Sequence, residues 1–227
     1  LPPECGVKGG QVRRPALKLV AGLGLLTMLL AAEAAPTRTP EAAARGSVRT
    51  ELQQQPGGFT LTQKIKVSAN TAARHAEAAR LLEAGRHDAA VTMFDQVAEQ
   101  NPEAVAAYIN LGMAHAAGGR LEQAEENLRT ALALNPRHPV ALNELGLVQR
   151  RKGEFAGARQ SYEAALAAFP DFHYAHRNLG VLCDLYLGEV TCALKHYEAY
   201  ARAVPGDEEV SRWIADLQGR QFAGGQP

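Results

Sequence analysis

Residues 105–138 read VAAYINLGMAHAAGGRLEQAEENLRTALALNPRH, and residues 139–172 read PVALNELGLVQRRKGEFAGARQSYEAALAAFPDF. The two segments align without a gap, and the pattern continues on both sides at steps of 34 residues, with one step of 35. A fixed period of this length predicts copies of one supersecondary unit that stack on their neighbours. The recurring residues are Gly85, Gly119, Gly153 and Gly188; Ala90, Ala124, Ala158 and Ala193; Phe94, Leu128, Tyr162 and Tyr197; and Pro102, Pro136, Pro170 and Pro205.

Each copy is predicted to be a helical hairpin. Residues 108–115 and residues 124–131 both place apolar or small side chains at the spacing of one helix face. Gly119 lies between these two faces, where the end of a first helix needs a left-handed residue. Pro136 ends the second helix, because proline cannot continue the helical hydrogen bonding. Small residues at the facing positions, such as Gly112, indicate that the two helices cross closely there.

This pattern resembles the tetratricopeptide repeat (TPR) family over residues 71 to about 205. The resemblance implies an all-α fold, a right-handed α-solenoid of four TPR hairpins, with units at 71–104, 105–138, 139–172 and 173–206. The stretch from Phe172 to Leu217 also resembles the last repeats of exported bacterial TPR proteins. The matching residues are Leu111-Gly112, Ala124, Leu128, Ala131 and Pro136 in the second unit, and Leu145-Gly146, Ala158, Tyr162, Ala165 and Pro170 in the third.

The two ends of the array differ from its middle. The fourth unit has one extra residue, which we place in the turn at residues 186–188. Residues 207–218 carry apolar side chains at helical spacing from Val210 to Leu217, which predicts a capping helix over the open end of the stack. Residues 219–227 are predicted to be a loose tail.

The first 70 residues lack the repeat. Residues 1–34 have a basic part, an apolar run at residues 19–30 and the small-residue sequence Ala32-Glu33-Ala34, the order of a signal peptide. The alternative is an uncleaved inner-membrane anchor formed by residues 19–32. Residues 35–58 are rich in Pro, Gly and Gln and are predicted to be a flexible linker. Residues 59–70 are a lead-in segment, which could include a short extended piece.

No motif for catalysis, cofactor binding or nucleic-acid binding stands out. The chain has 24 basic and 24 acidic residues, so its net charge does not favour nucleic acid. We find no phosphate loop, no nucleophile elbow and no metalloprotease motif. His173, His176 and His196 are interpreted as surface and packing residues and not as metal ligands, because a zinc site needs several convergent ligands. We therefore predict no enzyme, no cofactor, no metal and no small-molecule substrate.

Cys183 and Cys192 lie on the two helices of the fourth hairpin. An oxidising compartment would permit a disulfide between them. The alternative is two small, mostly buried thiols, and the sequence leaves both readings open.

The TPR resemblance also implies a protein-binding groove lined by the first helix of each unit. The predicted function is a scaffold or adaptor of the bacterial cell envelope, periplasmic or exported, that binds a segment of an envelope protein. The alternative is a structural protein that forms homo-oligomers through the groove or an end helix. The membrane is involved only if the N-terminal segment stays attached. The predicted groove residues are His75, Leu82, Ile109, Met113, Asn143, Leu147, Arg150, Arg151, Tyr174, Arg177 and Val181.

Overall fold

The computed structural model describes residues 50–55, 58–63 and 68–223. Two strands come first, β1 (Thr50–Gln55) and β2 (Gly58–Gln63). The helices that follow are α1 (Ala69–Glu83), α2 (His87–Gln100), α3 (Val105–Ala117), α4 (Leu121–Leu134), α5 (Pro139–Lys152), α6 (Phe155–Ala168), α7 (His173–Leu182), α8 (Val190–Ala203) and α9 (Glu208–Ala223). A π-helical turn (Cys183–Leu187) lies between α7 and α8.

The helices form four antiparallel hairpins in a row, α1–α2, α3–α4, α5–α6 and α7–α8, and α9 packs on α8. Each hairpin also packs on the next, since α2 contacts α3, α4 contacts α5 and α6 contacts α7. This arrangement confirms the predicted solenoid of four helical hairpins with a closing helix. The turn glycines behave as predicted: Gly119 and Gly153 both have φ of 82°, a left-handed conformation that glycine adopts without strain.

The column of small residues marks the closest helix crossings. Ala124 and Ala158 are completely buried. A Cβ atom at residue 112 would lie 2.6 Å from Cγ of Leu128 and 3.2 Å from the carbonyl oxygen of Ala124. The two helices of the second hairpin can therefore approach this closely only because residue 112 has no side chain.

The extra residue of the fourth unit is absorbed in the π-helical turn, within the region where the sequence places it. The amide of Glu189 donates to the carbonyl of Cys183 at 2.8 Å, which closes a wider loop than an α-helical turn does. Gly188 then takes φ of 68° and leads into α8. The structure joins Cys183 and Cys192 in a disulfide whose Cα atoms are 5.8 Å apart, so this wide turn is tied covalently to the first turn of α8.

The structure differs from the expected organisation in the predicted linker. Residues 50–55, placed in the linker by sequence, form β1, which pairs antiparallel with β2 in the register Leu52↔Leu61 and Gln55↔Gly58. Each strand supplies the hydrogen-bond partners that the other needs, which a single extended segment would lack.

The second difference lies in the predicted tail. Residues 219–223 continue α9, because Arg220 forms ion pairs with Asp184 of the π-helical turn at 2.8 Å and with Asp216 on α9 at 3.0 Å. At the other end of α9, the side chain of Asp207 accepts hydrogen bonds from the amides of Glu209 and Val210 and caps the first turn.

The predicted signal peptide, residues 1–34, lies outside the described residues. Within the described part of the chain, the helices are too short or too polar to cross a membrane.

Candidate protein-binding groove

The first helices of the units lie on the inner side of the stack. Contacts between neighbouring first helices (α1–α3, α3–α5 and α5–α7) are more extensive than those between neighbouring second helices. A row of hairpins packed more closely on one side curves toward that side. The concave face, called the groove below, is therefore formed by α1, α3, α5 and α7.

Helix α9 extends this face as if it were the first helix of a fifth unit. On α7, Arg177 contacts Glu209 of α9 at 3.1 Å, and its guanidinium lies 5.0 Å from the ring centroid of Trp213. Asp184 pairs with Arg220 in the same way. These pairs are separated by 32 to 36 residues, close to the 35-residue separation of the hydrogen-bonded pair Asn143 and Asn178 on α5 and α7.

One predicted groove position joins neighbouring units. The residues equivalent by the 34-residue period are His75, Ile109, Asn143 and Arg177. His75 Nε2 lies 3.0 Å from Nδ2 of Asn110 on the next first helix, and Asn143 Oδ1 accepts from Nδ2 of Asn178 at 2.9 Å. Burial lowers the pKa of His75, which favours its neutral form beside Phe94.

The prediction that Ile109 and Asn143 line the groove is therefore wrong. Ile109 is only 5% exposed and packs with the buried apolar side chains of α3, α4 and α5, while Asn143 is 3% exposed. Their side chains are used between units because each first helix must bury the flank that faces its neighbour. Neither residue offers a surface to a partner.

A second predicted groove position stays partly exposed. Met113, Leu147 and Val181 are half-buried and stand at the same place in successive units. The remaining predicted residues of the groove are half-buried as well, apart from the exposed Arg151: they are His75, Leu82, Arg150, Tyr174 and Arg177.

The three predicted arginines have separate contacts. Arg177 is bound to α9, as described above, and Nη1 of Arg151 donates to the carbonyl of Ala116 at the end of α3. Both side chains thus link neighbouring elements of the stack. Arg150 lies at the edge of the groove, with its guanidinium carbon 5.6 Å from the ring centroid of Tyr186. The predicted basic spot is therefore reduced to Arg150 as the side chain best placed to meet a partner.

Two large apolar side chains that are neighbours in the chain are exposed, and the sequence pattern did not indicate this. Leu185 is 70% exposed and Tyr186 is 46% exposed, both in the π-helical turn. The Tyr186 ring also packs on Phe155, with centroids 4.9 Å apart. Exposed large apolar side chains grouped in this way commonly mark interaction sites. We call Arg150, Phe155, Leu185 and Tyr186 the π-turn patch.

Glu144 is another groove-side residue that the sequence reading missed. It is half-buried, occupies the same place in α5 as Asn110 in α3 and Asn178 in α7, and accepts from Nδ2 of Asn143 at 3.1 Å. The residue 35 positions before it is the apolar Ile109, where the other two units have His75 and Asn143. Burial raises the pKa of Glu144 to about 7, because the charged carboxylate loses water without gaining a cationic partner.

Two histidines of the fourth unit, His176 and His196, form a hydrogen-bonded pair. Nε2 of His176 donates to the carbonyl of Pro170 at 2.9 Å, and its Nδ1 lies 2.9 Å from Nδ1 of His196. Since His176 is protonated at Nε2, Nδ1 of His196 donates to Nδ1 of the neutral His176. Within residues 68–223, His173, His176 and His196 do not bring three ligand atoms together.

Comparison with known proteins identifies the family. The model of the tetratricopeptide repeat matches residues 75–139, 117–171 and 143–208, which together span more than half of the 227-residue chain. The chain belongs to the TPR family. No match was found among curated proteins.

Solved structures of TPR proteins share the fold. A thermophilic TPR protein of Thermus thermophilus is 25% identical, with a TM-score of 0.60 over 66% of this chain and 82% of that one. The pilF protein of Pseudomonas aeruginosa is 21% identical, with a TM-score of 0.62 over 67% of this chain and 69% of that one. MamA from Desulfovibrio magneticus RS-1 is 18% identical, with a TM-score of 0.59 over 69% and 88%. TPR proteins generally serve as scaffolds for protein–protein interaction, and this chain has their architecture.

Proposed function

We propose that this TPR protein is a non-enzymatic adaptor that holds a segment of a protein partner in its groove, anchored at the π-turn patch. The observation that carries the proposal is the exposure of Leu185 and Tyr186 in the π-helical turn, with the Arg150 guanidinium over the Tyr186 ring. Aromatic residues and arginine at the centre of an interface often supply most of its binding free energy.

The half-buried Met113, Leu147 and Val181 continue this surface along the inner face. A partner segment with spaced apolar side chains could therefore use the patch as its main anchor and the groove as a track. An acidic group of the partner would meet Arg150, whose guanidinium is already oriented by the Tyr186 ring.

The double substitution of Leu185→Ser and Tyr186→Ser should abolish partner capture while leaving the fold intact. Removing two exposed apolar anchors is expected to weaken binding at least about tenfold, since each contributes roughly 1–2 kcal/mol when buried by a partner. The measurement is quantitative capture from a bacterial envelope extract, together with thermal melting of each variant.

Leu134→Ser is the matched control, because Leu134 is also an exposed leucine (37%) but lies at the end of α4, away from the patch. Equal capture by wild type and the double variant would reject the patch as the anchor. If the only protein recovered is a second copy of this chain, and the double variant shows no concentration-dependent mass, the chain is instead a self-associating structural protein.

We also propose that the chain is exported to the cell envelope and that residues 1–34 are removed. The order of basic, apolar and small residues before Ala35 supports this, as does a disulfide in the fourth hairpin, because disulfides persist in oxidising compartments. When the chain is expressed in a bacterium, the envelope form should begin near Ala35. N-terminal sequencing checks this, and residues 8–30 found attached would replace cleavage with anchoring.

A further inference from the structure

The turn between α7 and α8 brings two sulfur atoms and one carboxylate to one place. Cys183 opens the π-helical turn, Glu189 directly precedes α8, and Cys192 lies in the first turn of α8. Their ligand atoms all lie within 4.8 Å of one another, and this is the one such group of three or more among the described His, Cys, Asp and Glu residues.

We propose that reduction of the disulfide by a dithiol reductant turns these three residues into a site for one thiophilic divalent cation of the Zn²⁺ class. The reductant gives two electrons and two protons to the Cys183–Cys192 bond and becomes a disulfide itself, through a mixed-disulfide intermediate. The two thiols then lose their protons to solvent as they bind the cation. The Glu189 carboxylate is the third ligand, and water takes the fourth position.

The geometry fits such a cation. Zn²⁺ binds thiolate sulfur at about 2.3 Å and carboxylate oxygen at about 2.0–2.2 Å, so at tetrahedral angles two donors on one ion are about 3.5–3.8 Å apart. The three donors lie within 4.8 Å of one another, so modest side-chain rotations bring each pair to this spacing. The Cα atoms of the cysteines are 5.8 Å apart, so small side-chain rotations can separate the sulfurs from bonding distance without moving the helices.

The surroundings also favour binding. The first-turn position of Cys192 places its sulfur at the positive end of the α8 dipole, which favours the thiolate form that a metal needs. Cys183 is completely buried and Cys192 is half-buried, so the cation is held from inside and reached from the Cys192 side. Glu189 pairs with Arg159 through Oε2, which orients the carboxylate and leaves Oε1 for the metal.

The site would keep the π-helical turn tied in both redox states. The disulfide closes the turn when oxidised, and the cation closes the same turn when reduced. Leu185 and Tyr186 lie between the two cysteines in the chain, so either cross-link holds the segment that presents them.

The test is a titration with Co²⁺, which reports thiolate coordination by its absorption. The full chain carrying Cys5→Ser, so that only these two cysteines remain, is reduced with dithiothreitol and freed of the reductant under anaerobic conditions. We expect one equivalent of Co²⁺ to produce a thiolate-to-cobalt charge-transfer band, and Zn²⁺ to abolish it. The oxidised protein should give no band.

Two variants and a control separate this site from chance binding. Cys192→Ser should lose the band, and Glu189→Gln should weaken binding at least about tenfold, because loss of a direct ligand should cost no less than loss of an outer-shell partner. Glu198→Gln removes an exposed carboxylate of α8 away from the site and should have no effect. A reduced protein that shows no stoichiometric band, or a band that persists in Cys192→Ser, would overturn the proposal. A second measurement is the melting temperature of the reduced Cys5→Ser protein. Zn²⁺ should raise this temperature if the folded state binds the ion, and should leave it unchanged otherwise.

Discussion

Acidification from pH 7.5 to pH 4.5 should strongly destabilise this protein. His138 is 4% exposed and accepts a hydrogen bond at Nδ1 from the amide of Ala141, so a proton on that nitrogen would break the cap of α5. Burial lowers its pKa to about 4. The pKa of His196 is also about 4, because of burial and then the charges of His176, Lys195 and Arg159.

The direction of the stability change follows from proton binding. Between pH 6.5 and about 4, the unfolded chain binds a proton at each of these histidines and the folded chain does not, so the free energy of unfolding falls as the pH falls. A pKa lowered from 6.5 to about 4 corresponds to about 3 kcal/mol for His138 alone. The pKa values of His75, His115, His173 and His176 are lowered too, mainly by burial, so they act in the same direction.

Urea denaturation at several pH values measures this effect. His138→Asn keeps a side chain able to cap α5 but cannot titrate, so its stability should depend less on pH than that of wild type. Glu144→Gln is the opposite control. Its carboxyl has a pKa raised to about 7, which favours folding at low pH, so removing it should steepen the loss in acid. A flat profile between pH 7.5 and 4.5 would contradict the prediction.

The Gly180→Leu variant should lose about 3 kcal/mol of stability. A Cβ atom at residue 180 would lie 2.5 Å from Cδ1 and 2.6 Å from Cε1 of Tyr197. That ring is 1% exposed and packs on Trp213, with centroids 5.3 Å apart, so it has little room to move. Overpacking of this kind typically costs about 1–3 kcal/mol, and the completely enclosed ring puts this site at the upper end.

Gly219→Leu in α9 is the matched substitution, because nothing lies within 4 Å of a Cβ atom at that position. Leucine favours helix more than glycine does, so this variant should gain roughly 0.5 kcal/mol. The measurement is the urea midpoint of each variant, and midpoints that shift equally would show that residue 180 is not at a tight crossing.

The repeat was predictable because its signals are local and recur four times. Gly119 indicates a left-handed residue in the turn of the hairpin, and Ala124 indicates a small residue where its two helices cross. The structure has both features. The β hairpin was not predicted, because Gln53-Gln54-Gln55 shows no apolar alternation. The Pro56-Gly57 dipeptide between the two strands is typical of turns and was the available signal.

The end of α9 depended on a distant residue. Gly219 favours the end of a helix by its low helix propensity, yet Asp184 of the π-helical turn binds Arg220, and the helix continues. Tertiary contacts between residues 36 positions apart are not visible in a local pattern.

The sequence predicted which helices form the groove but not which of their side chains are exposed there. Family resemblance assigned both the Ile109 position and the Met113 position to the groove. In the structure Ile109 is buried between units, whereas Met113 is half-buried. Which of the two positions is buried depends on the rotation of one hairpin relative to the next. That rotation is determined by side-chain packing. The exposure of Leu185 and Tyr186 depends on the π-helical turn, which no periodic pattern encodes.

Helix α9 also sets a length. Because α9 takes the place of a first helix, the inner face runs from α1 to α9 in the described part of the chain. Packed helices have axes about 8–10 Å apart, so five of them side by side span roughly 30–40 Å. An extended chain advances about 3.3–3.6 Å per residue, so about ten residues reach from one end to the other. If a partner segment binds along the groove as proposed above, a segment of about ten residues would have a single position in which both of its ends are in contact, whereas a shorter one would have several.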